Sequence, residues 1–381
     1  MKKLYTTLLI LASAFLQAQI VNIPDINFKN ALLDRGVDTN GDGEIQVSEA
    51  EAITILSVGS REILSLEGIQ SFVNLEELYC ALNELTVLDL SQNVHLQRLD
   101  CWYNQLTDIN VTQSTNLNFL WCIGNNLTTL DLSQNINLEV LWADDNQISD
   151  LDVTNNNNLR HFFCARNQLT ELDVSQNLNL EWLGCAQNPL EELDVSANLQ
   201  LHTLEIQRTS ITSLDLISNI HIEELYVGGN ELEILKINNG NNHNIRTMIS
   251  EGNANLRCIQ VDDETATYPE CSDWLPKEGW CIDPWTSYSE DCSLGIESIK
   301  NPSFTIYPNP VSAELTISES NNKISQLKAE IYSVEGKMMF LKDLENEKIG
   351  TIDVSGFSEG MYFLKLVDEK GNMAVKKFIK I

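Results

Sequence analysis

The chain has 381 residues, 43% of them hydrophobic, and 24 Lys and Arg against 55 Asp and Glu leave a net charge of −31. So anionic a chain repels the phosphates of nucleic acid and of anionic lipid, which argues against both as partners, while its apolar fraction supports a buried core. No run of 18 apolar residues occurs outside the N-terminus, so no integral membrane segment is expected once that end is removed.

Lys2 and Lys3 precede an apolar stretch from Leu4 to Leu16, and Gln17-Ala18-Gln19 follows. This is the layout of a secretory signal peptide over 1–18. Residues 19–55 read as an N-terminal cap. Within it, residues 38–49 match D-x-[DN]-x-[DN]-G-x5-E, an EF-hand-like loop. The spacing suits a hard cation that takes six to eight oxygens. Asp38, Asn40 and Asp42 offer side chains, Glu44 its carbonyl, Gln46 a bridging water and Glu49 two oxygens, with Gly43 at the sharp turn. The cofactor expected is Ca²⁺, in a structural site of the weak extracellular kind, with Kd about 10⁻⁴ to 10⁻³ M. Short helices are expected over 28–33 and 48–55. The competing reading is an acidic turn that holds no metal.

A repeat of 21 residues fills 56–262. Leu75, Leu96, Leu117, Leu138, Leu159, Leu180, Leu201 and Ile222 share one phase; Asn83, Asn104, Asn125, Asn146, Asn167 and Asn188 share another, which skips at Thr209 and resumes at Asn230. The unit fits the L-x-x-L-x-L-x-x-N-x-L template of leucine-rich repeats. One coil cannot bury its apolar face alone, so coils stack into a continuous core. The Asn column is expected to bond backbone groups of the neighbouring coil. The Leu-Asp-Leu-Ser segments on the return path are too short for helices and predict strands or extended turns. Coil 56–75 and the stretch 245–262 are divergent and read as ends. Ile63 to Leu75 resembles the opening coil of internalin-like proteins, a resemblance that implies a secreted bacterial protein.

Cys80, Cys101, Cys122, Cys164 and Cys185 occupy one interior column, shared with Ala143, Ile206 and Val227, and read as buried thiols. Cys258, Cys271, Cys281 and Cys292 follow the repeats. Four cysteines allow three pairings; the reading adopted is Cys258–Cys292 enclosing Cys271–Cys281, a staple within a C-terminal cap and linker over 263–299.

Side chains beside the central Leu of each strand point outward, onto the expected concave face. There the sequence places Tyr79, Trp102, Tyr103, Phe119, Trp121, Trp142, His161, Phe163 and Trp182, with Glu77, Asp100, Asp144, Asp145 and Glu205 among them. Soluble monomers rarely expose so much contiguous apolar area without use. The reading is a binding face for a protein or glycan; the alternative is a non-catalytic spacer whose aromatics only stack. No catalytic motif accompanies the five His, and no enzyme is expected.

The charge resides entirely in the first 299 residues, since 300–381 hold 11 Lys against 11 Asp and Glu. Residues 304–381 read as seven short strands, a small β-sandwich. Ile306-Tyr-Pro-Asn-Pro310, Tyr332 to Lys337, Gly360 to Leu364 and the basic end Lys376 to Lys380 resemble the C-terminal sorting domain of type IX secretion cargo. That resemblance implies the type IX machinery as partner and a secreted or cell-surface product. The whole reads as mostly β: a helical cap, a solenoid and a sandwich.

Overall fold

The computed structural model describes residues 19–272, 277–292, 304–319, 327–334, 336–344, 349–368 and 373–381; the signal peptide reading over 1–18 and residues 273–276 and 293–299 of the expected 263–299 cap and linker lie outside them. The chain forms two units, Met1–Cys292 and Ser293–Ile381.

The first unit is a leucine-rich-repeat solenoid. Each coil contributes a three-residue strand, and eleven strands from Ile55–Ser57 to Gly279–Cys281 stack as one parallel sheet. The register repeats the 21-residue phase, so Leu99, Leu120, Leu141, Phe162 and Leu183 lie side by side, each essentially buried. One core runs from Val21 to Trp280. On the return path most coils cross in Asx turns: in Leu-Asp-Leu-Ser the Asp side chain accepts the Ser N–H, as in Asp131 to Ser133 at 2.9 Å. Strands form there only in the last coils, at 213–215, 234–236, 258–260 and 287–289.

Two asparagine columns tie the coils together. Asn125 accepts the Leu106 N–H at 3.0 Å and donates to the carbonyls of Cys101 and Cys122 at 3.1 and 3.0 Å, bridging its own coil and the preceding one. Just before this column the backbone is left-handed, at Leu82, Tyr103, Gly124, Asp145, Arg166, Gln187, Arg208 and Gly229. The second column, Asn93, Asn135, Asn156, Asn177, Asn198 and Asn219, is fully buried and was not expected. Asn156, for example, donates to the Leu132 and Asn135 carbonyls at 3.1 and 2.9 Å. Its signal, Asn every 21 residues ten positions after the first column, was present in the sequence.

The cap begins with a helix over Ile26–Asp34, which buries Phe28, Ala31 and Leu32. The second helix spans only Val47–Ala50, not 48–55, because the chain must leave it to reach the first strand at Ile55. Asp25 caps the first helix through Asn27 and Phe28, and its other oxygen takes the N–H groups of Leu64 and Ser65 in the first coil. At the far end Trp280 stacks on Tyr268 at 4.0 Å, and Cys258–Cys292 and Cys271–Cys281 are bonded, with Cα atoms 5.8 and 4.7 Å apart.

Cys80, Cys101, Cys122, Cys164 and Cys185 are buried and free. Burial pushes their thiols up, those of Cys122 and Cys185 to about 12. Since only the thiolate reacts, iodoacetamide at pH 8 will leave all five unmodified in the folded chain and label them upon unfolding; mass spectrometry reads the count.

The second unit has a three-stranded sheet (Phe304–Tyr307, Glu314–Glu319, Ile349–Asp353) and a four-stranded one (Leu327–Ser333, Met338–Leu344, Gly360–Asp368, Met373–Lys380). They enclose Leu315, Ile331, Leu364 and Phe378.

Candidate functional site

The outward positions of the long sheet carry a file of rings. Phe119 meets Trp121 at 6.5 Å, Trp121 stacks on Trp142 at 5.4 Å and 28°, Trp142 meets Phe163 edge-on at 5.7 Å, and Phe163 meets Trp182 at 5.3 Å. Five rings thus run unbroken across four consecutive strands. His161 lies beside Trp182 at 6.2 Å. Trp102 and Tyr103 pair at 5.0 Å one coil earlier, and Tyr79 hydrogen-bonds Glu77.

The rings cover one another, which corrects the picture of freely exposed apolar faces. Only Trp182, at 38%, and Tyr103, at 49%, are substantially exposed; the others are half-buried. Where the phase would place another ring, Gly184 leaves the space into which Phe163 tilts: a Cβ there would lie 2.7 Å from Phe163 Cδ1. The indole N–H of Trp182 donates to Glu205 at 3.1 Å. Those of Trp121 and Trp142 are buried, with no acceptor among the described residues.

Charge is set around the file. The Arg98 guanidinium lies 4.0 Å from the Phe119 centroid and 3.9 Å from Glu77. Arg166 forks onto Asp145 through both nitrogens. Two carboxylates are unusual: burial pushes both Asp100 and Asp144 up to about 6, opposed at Asp100 by Trp102 and at Asp144 by the Ala165 N–H and Arg166.

Beside the file, at the start of the strands, a polar groove of about 790 Å³ was not anticipated. Asn137, Asn158 and Asn179 donate there to carbonyls of the preceding coil at 3.0–3.1 Å, alongside Glu139, Arg160 and Glu181. These positions also recur every 21 residues, but a periodic polar residue on a solvated edge gives no sign of a groove.

In the cap loop the ligand set is drawn into loop contacts. Asp38 accepts the N–H groups of Gly41 and Gly43 at 2.7 and 2.9 Å. Asn40 accepts from Asp42, and Asp42 from Glu44. Buried Glu49 reaches back to the Thr39 N–H and hydroxyl, both at 2.7 Å, and to the Gln46 N–H at 3.0 Å. Gln46 and Asn40 turn their amide N–H groups toward Asp42. Among the described residues no group of three or more His, Cys, Asp or Glu converges as a metal cluster. The oxygens are those a hard cation prefers, and the two amides would have to present their carbonyls to contribute.

Residues 305–381 match the family model of the secretion system C-terminal sorting domain. No curated protein matches the chain. Among solved structures, the functional domain of InlJ from Listeria monocytogenes, described as including a cysteine ladder, is 20% identical, over 95% of this chain and 98% of that one, with a TM-score of 0.42. Internalin C2 from the same organism is 19% identical, over 66% and 100%, at 0.45. The leucine-rich-repeat protein LIC12759 of Leptospira interrogans is 19% identical, over 64% and 74%, at 0.45. The chain is a leucine-rich-repeat protein with a type IX secretion sorting tail, and it is secreted or held at the cell surface. No helix among the described residues is long and apolar enough to cross a membrane.

Proposed function

Starting from a leucine-rich-repeat solenoid that ends in a secretion sorting domain, we propose a recognition module that binds a protein or glycan across the ring file, with no catalytic role. The observation that supports this is the file itself: five rings in contact on one sheet face, rimmed by charged groups. Aromatic side chains that combine large area with low conformational cost dominate binding energy at interfaces. Calcium in the cap loop is part of the same proposal, with Asp38, Asn40, Asp42, Glu44, Gln46 and Glu49 as ligands that stiffen the entry to the solenoid. The sorting domain engages the type IX machinery during export.

The mutual stacking of Trp121 and Trp142 favours a second reading, in which the file only stiffens a spacer. Screening the full mature chain, with millimolar calcium, on glycan and protein arrays separates the two. A captured ligand should lose at least tenfold in affinity with Trp121→Ala or Trp142→Ala, a hot-spot loss of about 1.4 kcal/mol or more. Trp142→Phe should retain most of the affinity and report that the fold is intact. A blank array from folded protein, or a ligand indifferent to both alanines, favours the spacer.

A further inference from the structure

One carboxylate on the ring-bearing face has no countercharge among the described residues. Asp100 stands in register between Tyr79 and Trp121 and is only 8% exposed. The hydrogen-bonding groups that oppose its desolvation are both on Trp102, the backbone N–H at a long 3.5 Å and the side chain, and neither is a cation. Among the described residues no Lys or Arg lies within ion-pair distance of it; the cation on its own strand, Arg98, is occupied by Phe119 and Glu77. Asp144, half-buried, differs in that it accepts the Ala165 N–H at 2.8 Å and feels Arg166.

At neutral pH a carboxyl that titrates near 6 is mostly ionised. A buried ion without a partner is among the most costly arrangements a protein can hold. The flanking side chains are Tyr79, Trp102 and Trp121, whose ring faces are electron-rich and attract cations. Because the indole N–H of Trp121 is turned away from solvent, the ring offers π surface rather than a donor. Residues 1–299, which include the surrounding unit, carry the whole net charge of −31, which draws basic partners to this face.

We propose that Asp100, walled by Tyr79, Trp102 and Trp121, is the floor of a pocket that takes a Lys or Arg side chain of a protein partner. This rests on the sheet-face reading above and deepens it by naming the partner's chemistry. The cation enters with its head on the carboxylate and its flank against the rings. It holds Asp100 ionised, so affinity falls as pH drops through 6. The groups around Asp100 are Arg98, Glu77 and Tyr79 on the sheet and the Cys80 and Cys101 thiols behind, which burial keeps neutral.

The test uses the full mature chain and capped pentapeptides, Gly-Gly-Arg-Gly-Gly and Gly-Gly-Lys-Gly-Gly, against their citrulline and acetyl-lysine counterparts. Indole fluorescence and calorimetry read binding at pH 7.5 and 5.0. Saturable binding is expected for the charged peptides, at least tenfold weaker for the neutral ones, tenfold weaker at pH 5.0, and tenfold weaker in Asp100→Asn. Should that variant fail to fold, Trp102→Leu, which keeps the charge and removes one wall, should weaken the charged peptides at least threefold. Equal binding of charged and neutral peptides, or undiminished binding by Asp100→Asn, overturns the proposal. So does Asp100-dependent binding of an uncharged oligosaccharide, which would assign the carboxylate to sugar hydroxyls. An array ligand that needs Trp121 and Trp142 but not Asp100 sinks the cation pocket alone; one that needs none of the three sinks the sheet-face reading with it.

Discussion

Asn125→Ala will destabilise the solenoid by about 2 kcal/mol: one buried N–H is left without a partner at roughly 1–3 kcal/mol, while two buried carbonyls each lose one of two donors and keep Asn104 and Asn146 respectively. The groups concerned are the Leu106 N–H and the Cys101 and Cys122 carbonyls. Each coil contacts only its neighbours, so the loss falls on one interface. The expected result is a lower urea midpoint and a broadened or split transition, with the sorting domain unaffected. Hydrogen exchange should localise the new opening to coils 85–145. Asn125→Asp is a useful companion: it keeps the acceptor but offers the two carbonyls a repelling carboxylate, so it should be no better tolerated than Ala. An unchanged midpoint in both variants would show that the column is not what joins the coils.

The second large effect is expected at Glu49. Its two oxygens receive the Thr39 N–H and hydroxyl and the Gln46 N–H, closing the cap loop from both ends. Glu49→Ala removes these charge-assisted bonds at a buried position and should cost about 3 kcal/mol without any metal. If the loop takes calcium as proposed, 10 mM Ca²⁺ should stabilise the native chain by about 1.4–2.7 kcal/mol, for Kd between 10⁻³ and 10⁻⁴ M. Glu49→Ala should abolish that response. Calorimetric scans of both proteins, with calcium and with chelator, measure the two effects separately. An identical melting temperature with calcium and with chelator in the native chain would remove calcium from the proposal and leave the first effect standing.

The same site has a defined pH dependence. Burial acts to raise the Glu49 carboxyl, but hydrogen bonds from Gln46, Thr39 and Asn40 outweigh it and hold the carboxyl below its ordinary value of 4.5. A group whose folded pKa is depressed binds more protons when unfolded. Its contribution to stability is therefore complete above pH 4.5 and is lost as pH falls through the folded value. Asp25, held below 3.8 by four backbone N–H groups against its own desolvation, acts in the same direction. Acid should accordingly weaken the cap, and the Asx-turn aspartates of the coils, such as Asp131 and Asp173, act in the same direction.

Much of this protein was legible in its sequence because the solenoid is nearly one-dimensional. A 21-residue phase repeated through eight coils determines which side chains share a column, so the inward Leu and Cys columns, the Asn column and the identities of the outward residues all followed from counting. The alternating pattern of 304–381 determined seven strands and their order in the chain for a similar reason, since side-chain direction in a strand has period two. What counting could not determine was how neighbours in a column use one another. Whether Trp121 shows its face to solvent or to Trp142 depends on ring torsions set by the adjacent coils, and Gly184 matters only because Phe163 leans over it. Asp100 looked like one more acidic residue; its near-complete burial arises from residues brought beside it by stacking, about 21 positions away on either side. The link from Asp25 to Leu64 and Ser65 likewise joins segments whose contact no local pattern encodes. Composition and period determined the columns. Packing between coils decided which side chains are covered, which charges lack partners, and hence where a ligand would meet the protein.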